Sequence, residues 1–265
     1  MSIREIMLTP ELAKAFLEGN DRNRPCSQVH VNRLAKEMLA GRWKFNGDTI
    51  CRNGSRLIDG QHRCEAVVKS GVPIRTILVE DLDHDVFDTK DCGKKRSAGD
   101  VLAVSGEKNY TTVAAALKVV DSYMTGQFDK EAGKQRWSNS EVTEILAKYP
   151  EVRESVHWCR SLGNKGLLQY SVMCGLHYLF SRGDAEKAND FFTLLIGGAG
   201  LESGNAIFVL RERLVANMVT KAKLPQTYTV AITIKAWNHW REGTPIKYLR
   251  WRTEGKAEPF PLVKA

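Results

Sequence analysis

The side chains best suited to chemistry gather in one short run, Asp59-Gly60-Gln61-His62-Arg63, with Asp48 a little upstream. A glycine set between an apolar run and a helix leaves backbone N–H groups pointing at an anion. Arg63 would fall in the first turn of that helix, where a cation opposes the helix dipole and needs a negative partner, either a bound phosphate or a carboxylate of the chain. His62 places a titratable imidazole at the same mouth, and Asp48 or Asp59 would serve as general base or metal ligand. An ordinary strand-to-helix turn, with Arg63 paired to a nearby carboxylate, satisfies the same spacing. Asp48 follows Asn46-Gly47, where an aspartate is also a common turn residue.

These residues must be positioned by the elements around them. Thr49-Ile50-Cys51-Arg52 and Arg56-Leu57-Ile58-Asp59 read as two short strands joined by a turn at Asn53-Gly54. Cys64, Ala66, Val67 and Val68 then continue with helical spacing to Gly71, a C-cap. Upstream, Thr9-Pro10-Glu11 opens one helix that closes at Gly19-Asn20. Ser27 caps another, with Val31, Leu34, Ala35 and Met38 on one face, ending at Gly41. Two helices are thus expected before the strands. Val72 to Glu80 reads as a further strand that completes a small mixed sheet. Downstream, Lys94-Lys95-Arg96 follows Gly93 and precedes Ser97, a helix N-cap, and offers either a second anion-binding wall or a solvated basic loop.

The run "RLIDGQHRCEAVVKSG", preceded by "FNGDTI" and followed by "DVFDTKDCGKKRSAGDVL", resembles the ParB/sulfiredoxin-type domain, in the phage-associated branch that carries a DGQHR box. The resemblance covers roughly residues 5 to 105. ParB proteins of that superfamily bind a nucleoside triphosphate with a Gly-Glu-Arg-Arg form of the box, and sulfiredoxins act with ATP on a Gly-Cys-His-Arg form. The resemblance therefore implies that Gly60, Gln61, His62 and Arg63 meet phosphates of ATP or CTP, with or without Mg²⁺. Lys94, Lys95 and Arg96 would form the opposite wall. Gln61 stands where sulfiredoxin has its reactive cysteine, and an amide is no nucleophile, so a thiol mechanism at that position is excluded. Gln61 also replaces the acid of the ParB form, which weakens the inference of a metal held there.

Beyond about residue 107 strand signals stop. Helices are expected over 113–123, 140–149, 152–162, 167–180, 185–196 and 207–219, with a capping box at Ser138-Asn139-Ser140-Glu141. The fold class is α+β: a small mixed-sheet domain over 1–105 and an all-α domain over 106–265. His157 and His177 lie on helices rich in aromatic and aliphatic residues and read as satisfied core or boundary histidines.

The helical half ends differently. Ile234 to Gly243 and Lys247 to Arg252 interleave Trp237, His239, Trp240, Tyr248 and Trp251 with Lys235, Arg241, Lys247, Arg250 and Arg252. Cations meet phosphates and aromatic rings stack on bases, which makes those five cations candidates for nucleic-acid contact. Trp237 and Trp240 at helical spacing equally suit docking onto a core. The "KAWN..REG" segment is also similar to phage proteins of the DGQHR-bearing type.

Composition bounds the rest. The chain has 265 residues, 43% hydrophobic and 26% charged, which suits a globular protein of one large core or two modest ones. A net charge of +8 favours polyanionic partners. The apolar runs are too short to span a bilayer and the first residues lack a signal-peptide hydrophobic region, so no membrane association and residence in the cytoplasm, a host's if phage-encoded, are expected. Six scattered cysteines without CxxC or Cys/His spacing argue against zinc and against a disulfide framework.

Two classes of function follow. In one, a nucleoside triphosphate lies across the box and Asp48, Asp59 or His62 supports hydrolysis or phosphoryl transfer on a DNA-bound protein. In the other, a non-catalytic module binds DNA and is switched by nucleotide. A nuclease is a weaker third reading, and a homodimer is compatible with either.

Overall fold

The computed structural model describes residues 1–20, 23, 25–82, 97–128, 137–220, 224–253, 255 and 257–264, with only the backbone of 139 and 140. Lys94, Lys95 and Arg96, the expected second anion wall, lie outside the described residues. Within them the chain is α+β and mostly helical, with one four-stranded sheet and eleven helices. It divides into two compact units, Met1–Lys95 and Arg96–Ala265.

The first unit contains β1 (Ser2–Leu8), α1 (Pro10–Glu18), α2 (Gln28–Leu39), β2 (Thr49–Asn53), β3 (Arg56–Asp59), α3 (Gln61–Ser70) and β4 (Ile74–Glu80). The sheet order is β1-β4-β2-β3, with β2 parallel to β4 and the other pairs antiparallel. Strand periodicity sorts the side chains. Ile50, Leu57 and Leu78 point into a core with Phe16, Val31, Ala35, Met38 and Val67 from the three helices, while their neighbours Cys51, Ile58 and Val79 cluster separately. Thr9 and Ser27 cap α1 and α2, accepting from the N–H groups of Leu12 and His30.

The expectation that two helices precede the strands is corrected by β1. This edge strand buries only Leu8, so its sequence lacks the apolar alternation that marks a half-covered strand. It is held by its ladder to β4 and by the cross-strand pairs Arg4–Glu80 at 3.1 Å and Arg75–Glu5 at 2.7 Å.

The second unit contains α4 (Ala98–Val104), α5 (Tyr110–Met124), α6 (Asn139–Lys148), α7 (Val152–Leu162), α8 (Tyr170–Ser181), α9 (Ala185–Gly197), α10 (Ala206–Thr220) and α11 (Gln226–Arg241). The division falls upstream of the expected boundary at 105 because α4 packs on α5 and α6. The Ser105-Gly106-Glu107 segment is only the C-terminal turn of α4, closed by Gly106 N–H to Ala103 O and Glu107 N–H to Leu102 O. Helix α8 is buried continuously from Ser171 to Phe180 and forms the centre of the unit. Around it Phe180, Phe191, Phe192 and Trp237 make an aromatic core, with Phe180 and Trp237 stacked at 4.4 Å. His177 is buried as expected, and its Nε2–H donates to Asn189 Oδ1 at 2.9 Å while Nδ1 accepts from Ser155 Oγ at 3.0 Å.

Candidate functional site

Gly60 opens α3 with φ of 102°, a backbone conformation that residues with a Cβ rarely adopt. A Cβ there would also lie 2.4 Å from Ile50 Cδ1, so the glycine lets α3 start directly against β2. The strand-glycine-helix arrangement read from the sequence is therefore present. Its side chains, however, are turned toward the protein.

Arg63 is the clearest case. Its Nη1 lies 3.2 Å from Asp48 Oδ2, and its Nη2 donates to Asp59 Oδ2 at 3.3 Å and to the Thr49 carbonyl at 2.5 Å. Of the two readings the spacing allowed, the intramolecular carboxylate pairing is the one in place. Asp48 is aimed by an Asx turn, in which Asn46 Oδ1 accepts the Asp48 N–H at 3.0 Å. Asp59 also accepts the Gly60 N–H at 2.6 Å. Two carboxylates share one guanidinium, which leaves Arg63 little charge to offer a further anion. Asp48 is half-exposed, and Arg63 Nε is buried with no hydrogen-bond partner among the described residues.

Gln61 and His62 are likewise occupied. Gln61 is buried and its Oε1 accepts from Asn20 Nδ2 at 3.1 Å, in a chain continued by Asn23 to Asn20 Oδ1 and to the Leu57 carbonyl. His62 Nε2 accepts the Ser27 N–H at 3.1 Å, and its ring meets the edge of His30 at 4.9 Å. In this arrangement Gln61 ties α3 to the end of α1, and His62 ties it to the start of α2. Of the three residues expected to act as acid or base, Asp48 and Asp59 face Arg63, and His62 faces Ser27 and His30. The nearest thiol, Cys64, is fully buried, and burial pushes it up to about 12, so it holds its proton at neutral pH. Among the described residues no group of three or more His, Cys, Asp or Glu is placed to hold a metal ion.

The five cations proposed for nucleic acid separate into two sets. Lys235 Nζ donates to Glu258 Oε2 and to the Arg250 carbonyl, both at 2.7 Å. Arg241 pairs with Asp184, the N-cap of α9, at 2.7 Å and lies over the Trp237 ring. Arg252 Nε pairs with Glu258 at 2.8 Å. These three brace the helical unit from within. Lys247 and Arg250 are exposed, and neither has an ion-pair partner among the described residues.

Their direction follows from the extended chain after α11. Leu249 and Trp251 are buried, so the alternating neighbours Tyr248, Arg250 and Arg252 face outward. The segment is fastened by Ile246 N–H to the Gly204 carbonyl at 2.9 Å, by Lys235 to the Arg250 carbonyl, and by Trp251 Nε1–H to the carbonyls of Glu258 and Pro259. Lys247, Tyr248 and Arg250 border a depression of about 750 Å³ that Arg213 of α10 and Tyr228 of α11 also line. Arg213, like the other two cations, has no ion-pair partner among the described residues. Arg213 and Tyr228 escape a linear reading because only helix packing brings them beside residues 247–250.

Comparison of the chain with models of known protein families, with curated proteins and with solved structures returned no match. Among the described residues no helix is long and apolar enough to cross a membrane.

Proposed function

We propose that the chain is a nucleic-acid-binding protein that performs no chemistry on its partner, with its contact surface on the helical unit. The observation that carries this reading is the convergence on one depression, beside exposed Tyr248, of three cations, Arg213, Lys247 and Arg250, that have no ion-pair partner among the described residues. Charge distribution agrees with it. Cations and acids nearly balance in residues 1–95, and most of the +8 excess lies in the second unit. The mutual engagement of Asp48, Asp59 and Arg63 favours binding over turnover.

A second reading keeps the ParB/sulfiredoxin-like assignment of the first unit, with ATP or CTP at the start of α3 as a switch of the nucleic-acid-bound state in the cytoplasm. It is favoured by the order of strands and helices around Gly60 and by the buried, unpartnered Arg63 Nε. It requires Asp48 to yield its place to a phosphate.

Fluorescence anisotropy with labelled DNA at low salt tests the first reading. Retention that falls steeply with added salt is expected, and the double variant Lys247→Glu/Arg250→Glu should abolish it while leaving the circular dichroism spectrum intact. No retention by the wild type at low salt would sink it. Calorimetry with ATP and CTP, with and without Mg²⁺, tests the second. Asp48→Asn should tighten nucleotide binding, and absence of heat in both proteins would remove it.

A further inference from the structure

Resting on the reading that the helical unit binds nucleic acid, we propose that the depression between α10, α11 and residues 247–250 takes single-stranded nucleic acid, with a base stacked on Tyr248. Tyr248 is 86% exposed although its neighbour Leu249 is buried, so the backbone under the ring is anchored while the ring itself stands in solvent. A tyrosine has only two χ angles to fix when a base covers it, and every base offers a π-face. Tyr228 lines the same depression, whose volume of about 750 Å³ is in the range that encloses a planar group together with its sugar. Arg213, Lys247 and Arg250 line the depression with the two tyrosines, a composition of stacking platform and backbone-tracking cations.

A duplex keeps its bases stacked on each other and shows a protein only phosphates and groove edges, so it uses the cations and leaves Tyr248 idle. An acidic protein surface or an anionic membrane would likewise use the cations alone. The exposed ring is the feature that separates a single strand from these partners.

Direct anisotropy titrations of the full chain with a labelled mixed-sequence DNA single strand, the matching RNA strand and the DNA duplex decide the matter. The expected result is tighter binding of single strand than of duplex, with a salt slope near −2 for three phosphate contacts at about −0.7 each. Tyr248→Ala should weaken single-strand binding roughly tenfold or more and leave duplex binding unchanged, whereas Tyr248→Trp should retain it. Arg250→Ala should weaken both and flatten the single-strand slope by about 0.7. Comparison of the DNA and RNA strands shows which sugar is preferred, and equal affinity fits a site that reads phosphates and rings alone. If duplex binds as tightly as single strand and Tyr248→Ala changes neither, the inference is overturned while nucleic-acid binding stands. If no nucleic acid binds at low salt but vesicles rich in anionic lipid do, both fall.

Discussion

Arg63 shows how a cation in the first turn of a helix can be met from within the chain. A cation in the first turn of a helix is unfavourable until something negative meets it, and Asp48 and Asp59 do so here. Removing it leaves two carboxylates facing each other. Arg63→Ala should therefore destabilise the first unit by roughly 1–3 kcal/mol in urea unfolding, and a lost ligand signal in that variant is interpretable only beside its stability. Gly60→Ala should cost about 2 kcal/mol or more, from the positive φ and from the crowding against Ile50. His177 carries a pH dependence. Burial holds its pKa below the ordinary histidine value, and the hydrogen bond to Asn189 only partly opposes that. The unfolded chain thus takes up the proton first. Stability from this site is complete above about pH 6.5 and is lost as the pH falls through that value, and thermal unfolding from pH 7.5 to 5 should show it. His177→Gln should be less stable at neutral pH and flatter across the same range.

Elements with local signals were legible and those made by partnership were not. Thr9-Pro10, Ser27, Ser97 and Ser138 marked four helix starts, and their hydroxyls accept the expected N–H groups. Asn53-Gly54 marked the hairpin. Edge strand β1 left no such mark, because its apolar residues do not alternate and its ion pairs depend on β4 seventy-odd residues away. The candidate site divided in the same way. Gly60 could be read as a backbone requirement, but the orientation of Arg63, Gln61 and His62 depended on Asn20, Ser27 and Asp48, which no spacing rule connects to them. At the C-terminal end, Lys247 and Arg250 stood out in the sequence, whereas Lys235 looked the same and proved to be a clamp. Lys235→Met should release the Arg250 carbonyl and Glu258, raise hydrogen exchange across Ile246 to Arg252 roughly tenfold and leave α11 protected.

As a whole the molecule contains separate cores, one centred on Phe16, Ile50 and Leu78 and one on Phe180, Phe191 and Trp237. Two transitions are expected in calorimetric unfolding, with Gly60→Ala lowering one of them and leaving the other in place. Tryptophan fluorescence should follow mainly the helical unit, since every tryptophan except Trp43 lies there. That unit has an unusual way of finishing. Phe260 stacks on Phe128 at 5.1 Å, the Val263 N–H donates to Tyr123 Oη at 2.7 Å, and Trp237 Nε1–H reaches the Lys264 carbonyl at 3.1 Å. Residues 260–264 therefore lie against side chains far from them in sequence. The Val263–Tyr123 contact closes a loop of 140 residues, so it is expected to form only after the helices between them have packed, and a probe at Phe260 should report the last step of refolding.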